Sequence, residues 1–334
     1  MTESRPRRDT FPFMHAMAQR TWATNEPLSL MELPTPEPRS GEVRVAVKAI
    51  GVNPVDWKMR SSGPIRLAAR IVGPSLPFVP GIDFSGVIEA VGPGVTTVAV
   101  GQRVVGGTNF SRGQRGSYAD MVIARPDQLF VLPDAVDLDV AGALPVAGVT
   151  ALRSIVELGR IRQAREKRVL VLGASGGVGQ IAVQVARNEG AFVAGVCSAK
   201  NVDLVQSLGA NAVIDYTKGD ALAQAAAHAP FQVVVDCVGG YKASQCRAML
   251  TSGGRHVMVA GDSMGAASQV LVPPFKSKAI LGKVTGALLQ PLVEAIAAGR
   301  LKVNIAARFP LAEAEEAHKQ SQSGRMAGKI ILTV

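Results

Sequence analysis

The chain has 334 residues, long enough for two domains that each bury a core, and 47% of them are hydrophobic against 19% charged. No apolar run escapes charge for long enough to span a bilayer, so neither a transmembrane helix nor a membrane partner is expected. The formal net charge of +10 is spread along the chain and aromatics make up only 4%, so nucleic acid is not expected as a main partner.

Residues 1–10 carry Arg5, Arg7 and Arg8. No apolar stretch with a small-residue cleavage site follows, so a secretory signal is not expected. Residues 42–50 alternate apolar and polar side chains, as a strand with one wet face does. Further short strands are expected over 81–92, 101–106 and 118–123, and the frequent glycine and proline between them argue for a mostly antiparallel β domain. Beyond Asp139 the pattern alternates strand and helix: strands at 169–172, 191–197, 212–215, 232–236 and 255–260, helices at 177–188, 201–208 and 221–228. That rhythm builds a parallel sheet with crossover helices. A last helix is expected around 310–318 and a closing strand over 328–334.

The strand 169–172 runs into Gly173-Ala174-Ser175-Gly176-Gly177-Val178-Gly179, a glycine turn opening a helix. Gly176 lets the backbone approach a pyrophosphate, Gly179 lets the helix pack close on the strand, and free N–H groups at the helix start face the phosphate charge. Ala174 stands at the first position of the usual G-x-G-x-x-G, so the context of strand, turn and helix carries the assignment. Ala174, Ser175, Gly176, Gly177, Val178 and Gly179 are the expected dinucleotide cradle; a glycine turn serving only packing is the alternative.

In such a fold an acidic residue about 20 positions on binds the ribose 2′-hydroxyl of NAD. The second strand instead ends in Ser198-Ala199-Lys200-Asn201. Ser198 offers a hydrogen bond and Lys200 a charge, favouring the 2′-phosphate of NADPH, unless the two belong to an ordinary solvated turn. Tyr216, just past the third strand, lies alongside that phosphate or in solvent. Val238 and Ala260, at the ends of the next two strands, complete the expected cofactor-binding set. Cys197, Cys237 and Cys246 lack metal or disulfide spacing and read as reduced thiols of a cytoplasmic protein.

Four stretches beside the glycine turn carry a family resemblance: Ala49-Ile50-Gly51-Val52-Asn53-Pro54-Val55-Asp56, Pro80-Gly81-Ile82-Asp83-Phe84-Ser85-Gly86, the run from Ala143 to Ala151, and Gly328-Lys329-Ile330. The chain resembles the medium-chain dehydrogenase/reductases, in their zinc-independent NADPH quinone oxidoreductase-like branch. The resemblance implies an α/β protein: a Rossmann doubly wound parallel sheet domain over 146–290, and a GroES-like β-barrel catalytic domain from 1–145 and 291–334, with the active site between them. It also implies a homodimer.

Zinc-dependent relatives place a Cys, a His-Glu pair and a second Cys where this sequence has Asn53, Ile82-Asp83 and Val146. One aspartate cannot hold zinc, and His15, His228, His256 and His318 are scattered, so no metal is expected. Without a Lewis acid the favoured substrates are quinones and α,β-unsaturated carbonyls, which take hydride readily. Asn53 orients the acceptor or the nicotinamide ribose, or is only an Asn-Pro turn residue. Thr150 approaches the nicotinamide by resemblance, or caps a helix over 150–158. Lys58 polarises the substrate oxygen, or is simply solvated beside Arg60. Asp56 and Asp83 hold loops or pair with basic residues, and the final proton comes from water. Residues 61–79 and 261–278, expected to shape the pocket, are too generic to name the acceptor. Two other readings stay open: an NADPH-binding sensor with little turnover, and an enoyl reductase or alcohol dehydrogenase-like enzyme.

Overall fold

The structure, a computed structural model, describes residues 12–23, 26–61, 66–67, 70–71, 76–109, 114–259, 277–280 and 283–334. Ala260, the basic arm, most of 261–278 and part of 61–79 lie outside the described residues.

The N-terminal half forms strands β1 (Phe13–Ala18), β2 (Ser29–Pro34), β3 (Val43–Val52), β4 (Asp83–Val91), β5 (Arg103–Gly107), β6 (Met121–Ala124) and β7 (Leu129–Val131). The parallel half contains β8 (Arg168–Leu172), β9 (Phe192–Cys197), β10 (Ala212–Asp215), β11 (Phe231–Asp236), β12 (Leu250–Met258) and β13 (Ser277–Ala279), and the tail ends in β14 (Ile305–Pro310) and β15 (Lys329–Thr333). Helices are α1 (Pro54–Lys58), α2 (Leu138–Gly142), α3 (Pro145–Leu152), α4 (Gly179–Asn188), α5 (Val202–Ser207), α6 (Ala221–Ala225), α7 (Ala243–Ala248), α8 (Gly286–Ala297) and α9 (Ala314–Gln322).

Two main sheets result. One has the order β14-β15-β3-β4-β5-β7, with β6 also on β3, so the C-terminal strands return to the N-terminal sheet. The other runs β10-β9-β8-β11-β12-β13 and is parallel throughout. Numbered along the chain this is the order 3-2-1-4-5-6 of a dinucleotide-binding doubly wound sheet. Its strands are apolar on both faces, as Val169, Leu170, Val171 and Leu172 show by being fully buried, because helices cover both sides.

Strand β3 does not keep the wet face its alternation predicts. It lies inside the sheet between β15 and β4, and Arg44 on its outward side is 4% exposed. Ion pairs to Glu37 at 2.8 Å and Glu89 at 3.0 Å compensate its charge. Tyr118 also departs from expectation: it precedes the strand 121–124 instead of belonging to it, and its side chain is fully buried. One continuous core joins Val171 and Val235 of the parallel sheet, through Leu144 and Leu292, to Val105 and Leu132 of the barrel.

Candidate active site

Strands β8 and β11 are neighbours at the point where the order of the parallel sheet reverses, the place where such sheets open a ligand crevice. The glycine turn leaves the end of β8, and Val238 follows the end of β11 at 53% exposure. A Cβ on Gly179 would stand 2.1 Å from the Gly173 carbonyl oxygen, so only glycine lets α4 begin this close to the strand. A Cβ on Gly176 would meet nothing nearer than that oxygen at 3.3 Å. The two glycines thus differ in degree: at 179 a side chain is excluded outright, whereas at 176 it would press on the same oxygen only mildly. Helix α4 begins at Gly179, two residues later than expected, because Gly177 and Val178 complete the turn.

Asn201 ties this turn to the end of β9: its Nδ2 donates to Ser175 Oγ at 3.1 Å and to Ser198 Oγ at 3.2 Å. Lys200 is exposed, and so is Tyr216 at 53%. The sequence reading missed a neighbour here. Asp215, in register with Cys197 across β9 and β10, places a carboxylate beside the strand tip. The Thr217 hydroxyl and backbone N–H hold it below the usual carboxylate range.

A second polar group lies across the crevice. Asn53 caps α1, where Pro54 supplies a pre-set φ at the first helical position, and its N–H donates to Asp56 Oδ2 at 2.7 Å. Its Nδ2 donates to Gly51 O at 3.2 Å and to Asp83 Oδ2 at 2.9 Å. Its Oδ1 accepts from Lys329 Nζ at 2.6 Å. Both amide hydrogens are therefore engaged within the protein, and Asn53 acts as a hub more than as an open donor. Asp83, fully buried, accepts the Val146 N–H on Oδ1 at 2.8 Å. The three positions matched to metal ligands, 53, 83 and 146, thus converge, and the Lys329 ammonium stands among them, 3.0 Å from Val52 O and 3.5 Å from Asp83 Oδ2. Gly51 is required beside them, since a Cβ there would fall 2.6 Å from Asp83 Oδ2.

Burial pushes both carboxyls up; the Lys329 charge opposes this at Asp83, while Asp56 is raised to about 8. Asp56 holds the start of α1 through the Asn53 N–H, and Asp83 holds the Val146 N–H and pairs with the Lys329 ammonium. Lys329 joins the two halves of the crevice. Gly328 bridges Gly176, and a Cβ on Gly177 would lie 3.1 Å from Lys329 Cδ. Sequence reading gave this lysine no role, although it stands in the Gly328-Lys329-Ile330 stretch and opens the otherwise apolar strand Lys329-Ile330-Ile331-Leu332.

Thr150 is not a helix cap. It sits inside α3, which begins at Pro145, and a π-helical stretch occupies Arg153–Leu158. It is 5% exposed and its hydroxyl has no hydrogen-bond partner among the described residues. Lys58 closes α1, half-buried, with Nζ 5.3 Å from the Trp57 ring centroid. Among the described residues no group of three His, Cys, Asp or Glu could hold a metal ion, and no helix is long and apolar enough to cross a membrane.

Comparison with known proteins agrees with this geometry. Residues 39–134 match the alcohol dehydrogenase GroES-like domain, and residues 208–332 match a zinc-binding dehydrogenase model. The chain is 30% identical over 328 residues to a chloroplast envelope quinone oxidoreductase homolog of Arabidopsis thaliana, covering 96% of this chain and 98% of that protein. It is 38% identical over 203 residues to a trans-enoyl reductase of Aspergillus terreus, covering 59% of this chain and 55% of that protein. The structure of the quinone oxidoreductase from Coxiella burnetii superposes with a TM-score of 0.86 at 29% identity, covering 96% and 99% of the two chains.

Proposed function

The chain belongs to the quinone oxidoreductase-like branch of the medium-chain dehydrogenase/reductase superfamily, a nicotinamide-dependent oxidoreductase family, and from that premise we propose that it uses NADPH to reduce a quinone or an α,β-unsaturated carbonyl without zinc. One observation carries the reading: Lys329 meets the glycine turn at Gly177 and the Asn53–Asp83 cluster with the same side chain. A nucleotide cradle and a buried cation thereby share one crevice.

The bound cofactor supplies a hydride. The glycine turn and the start of α4 receive its pyrophosphate, and Ser198 and Lys200, with Tyr216 alongside, receive the 2′-phosphate. Ala174, Ser175, Val178 and Val238 shape the cradle around it. Asn53 fixes the Lys329 ammonium, whose positive potential favours the oxyanion that forms as the acceptor takes hydride. The Thr150 hydroxyl supplies the orienting donor. Lys58, drawn over Trp57, plays the smaller part. Asp56 is sealed from solvent, so water delivers the last proton.

Zinc does not fit the cluster. It offers one carboxylate, one carboxamide oxygen and one main-chain carbonyl around an ammonium ion, whereas zinc needs a convergent set of thiolate, imidazole or carboxylate ligands. A second reading, reduction of a conjugated enoyl group, is favoured by the 203-residue stretch shared with the trans-enoyl reductase. A cytoplasmic location, read from the unpaired cysteines, and a homodimer, implied by the resemblance, accompany the proposal.

The test is NADPH oxidation against 1,4-benzoquinone, an enone and a saturated aldehyde, with and without a chelator. Turnover of the first two, unchanged by chelator, is expected. Tight NADPH binding with no turnover of any acceptor would make the chain a sensor, and chelator-sensitive activity restored by zinc would overturn the metal-free assignment.

A further inference from the structure

We propose that Arg60, His318 and Tyr118 form a positioning relay that sets the Asn53–Lys329 pair from the C-terminal helix α9; this rests on the role given to that pair above.

The direction of the chain follows from donor chemistry. Arg60 Nη1 lies 2.8 Å from His318 Nδ1, and a guanidinium has only donors. His318 Nδ1 is therefore the acceptor, and the imidazole is neutral with its hydrogen on Nε2. Burial, with the Arg60 charge beside it, holds His318 down at about 3, in keeping with that neutral form. Nε2 lies 2.9 Å from the Tyr118 hydroxyl oxygen and donates to it. The tyrosine hydrogen is then left to point at Asp56 Oδ2, 3.3 Å away, the same oxygen that accepts the Asn53 N–H. Each bond fixes the next, and the series ends on the backbone of the residue that grips Lys329.

The outer end is equally well anchored. Arg60 Nη2 donates to Glu315 Oε2 at 2.8 Å and to the Glu26 carbonyl at 3.2 Å, and Glu315 also accepts the Leu28 N–H at 3.0 Å. Arg60, Tyr118, His318 and Asp56 are all at most 8% exposed, so water does not compete for these bonds, and a missing partner leaves a buried polar group unmet. His318 and Glu315 lie on α9, and Trp57 Nε1 donates to Ser321 Oγ on the same helix at 3.2 Å. The C-terminal helix thereby governs the start of α1. Asp56 Oδ1 has no partner, so the carboxyl depends on Oδ2, and hence on Tyr118 and the Asn53 N–H, for its placement.

The experiment compares Tyr118→Phe, His318→Phe and His318→Gln in the full chain. Tyr118→Phe removes one oxygen. His318→Gln keeps a donor toward Tyr118 and an acceptor toward Arg60. Two readouts are followed: hydrogen exchange of the Asn53 amide, by mass spectrometry of a peptide spanning it, and kcat for NADPH oxidation by 1,4-benzoquinone. Tyr118→Phe and His318→Phe are expected to speed Asn53 exchange at least tenfold and to lower kcat at least fivefold, with His318→Gln rescuing both to within about twofold of the parent. If Tyr118→Phe lowers the melting temperature while Asn53 exchange and kcat stay within twofold of the parent, the residues merely fill space and the relay is wrong. Should the parent itself turn over no quinone, the functional reading falls, and the exchange measurement alone decides the relay.

Discussion

Lys329 Nζ lies 2.6 Å from Asn53 Oδ1 and, through the same ammonium, 3.5 Å from Asp83 Oδ2, with Lys329 3% exposed and Asp83 fully buried. A buried carboxylate deprived of its cation is costly. Lys329→Met is therefore expected to lose about 3–5 kcal/mol of stability in urea unfolding. Adding Asp83→Asn removes the stranded charge and is expected to recover more than about 1 kcal/mol of that loss. Simple additivity of the two changes would show that the ion pair is not what holds this cluster.

The two glycines of the cradle should respond differently to alanine. Gly179→Ala forces a Cβ to within 2.1 Å of the Gly173 carbonyl, so both stability and NADPH affinity are expected to fall. Gly176→Ala brings a Cβ only to 3.3 Å from the same oxygen, so the melting temperature should fall much less while fluorescence-monitored NADPH affinity drops at least tenfold. Equal losses of stability in the two variants would place the phosphate elsewhere.

The parallel sheet was legible in the sequence because strands buried on both faces are written as unbroken apolar runs, and Val169 to Leu172 is such a run. The glycine turn was legible because its conformation demands particular residues. The grip of Lys329 on Asn53 was not. It joins residues 276 positions apart, and a lysine at a strand start ordinarily faces water. Arg60, which had no role in the sequence reading, is 8% exposed because Glu315 and His318 arrive from the other end of the chain. Local pattern carries no record of such partners. The alternative that Thr150 caps a helix failed for a simpler reason: Pro145 starts α3 earlier than the apolar pattern indicated.

The proposed preference for NADPH is tested at the tip of β9. Lys200→Asp is expected to raise the KM for NADPH at least tenfold and to change that for NADH by less than threefold, since only the former carries a 2′-phosphate to repel. Asp215, beside the same tip, gives a complementary test: Asp215→Asn should lower the NADPH value. Equal effects of Lys200→Asp on both cofactors would remove Lys200 from the phosphate site.

Asp56 makes stability depend on pH with a definite sign. Burial raises its carboxyl from 3.8 to about 8, so the native protein keeps a proton that the unfolded chain has released. The stability tied to this group is present in full below about pH 4 and is lost as the pH rises toward 8, at up to about 1.4 kcal/mol per pH unit. His318 and His256 act in the opposite sense. Held down at about 3 and about 4, they stay neutral while the unfolded chain takes up protons, so their contribution is lost as the pH falls from 6.5. Between pH 6.5 and 8 the histidines no longer contribute to the slope, and Asp56, with Asp83 and Asp236 raised by burial in the same sense, sets it. Urea unfolding across that interval should show the parent losing stability and Asp56→Asn, which keeps an oxygen for the Asn53 N–H, losing much less. Parallel curves for the two proteins would mean that Asp56 is already ionised in the native state, with Tyr118 and the Asn53 N–H sufficient to hold the charge.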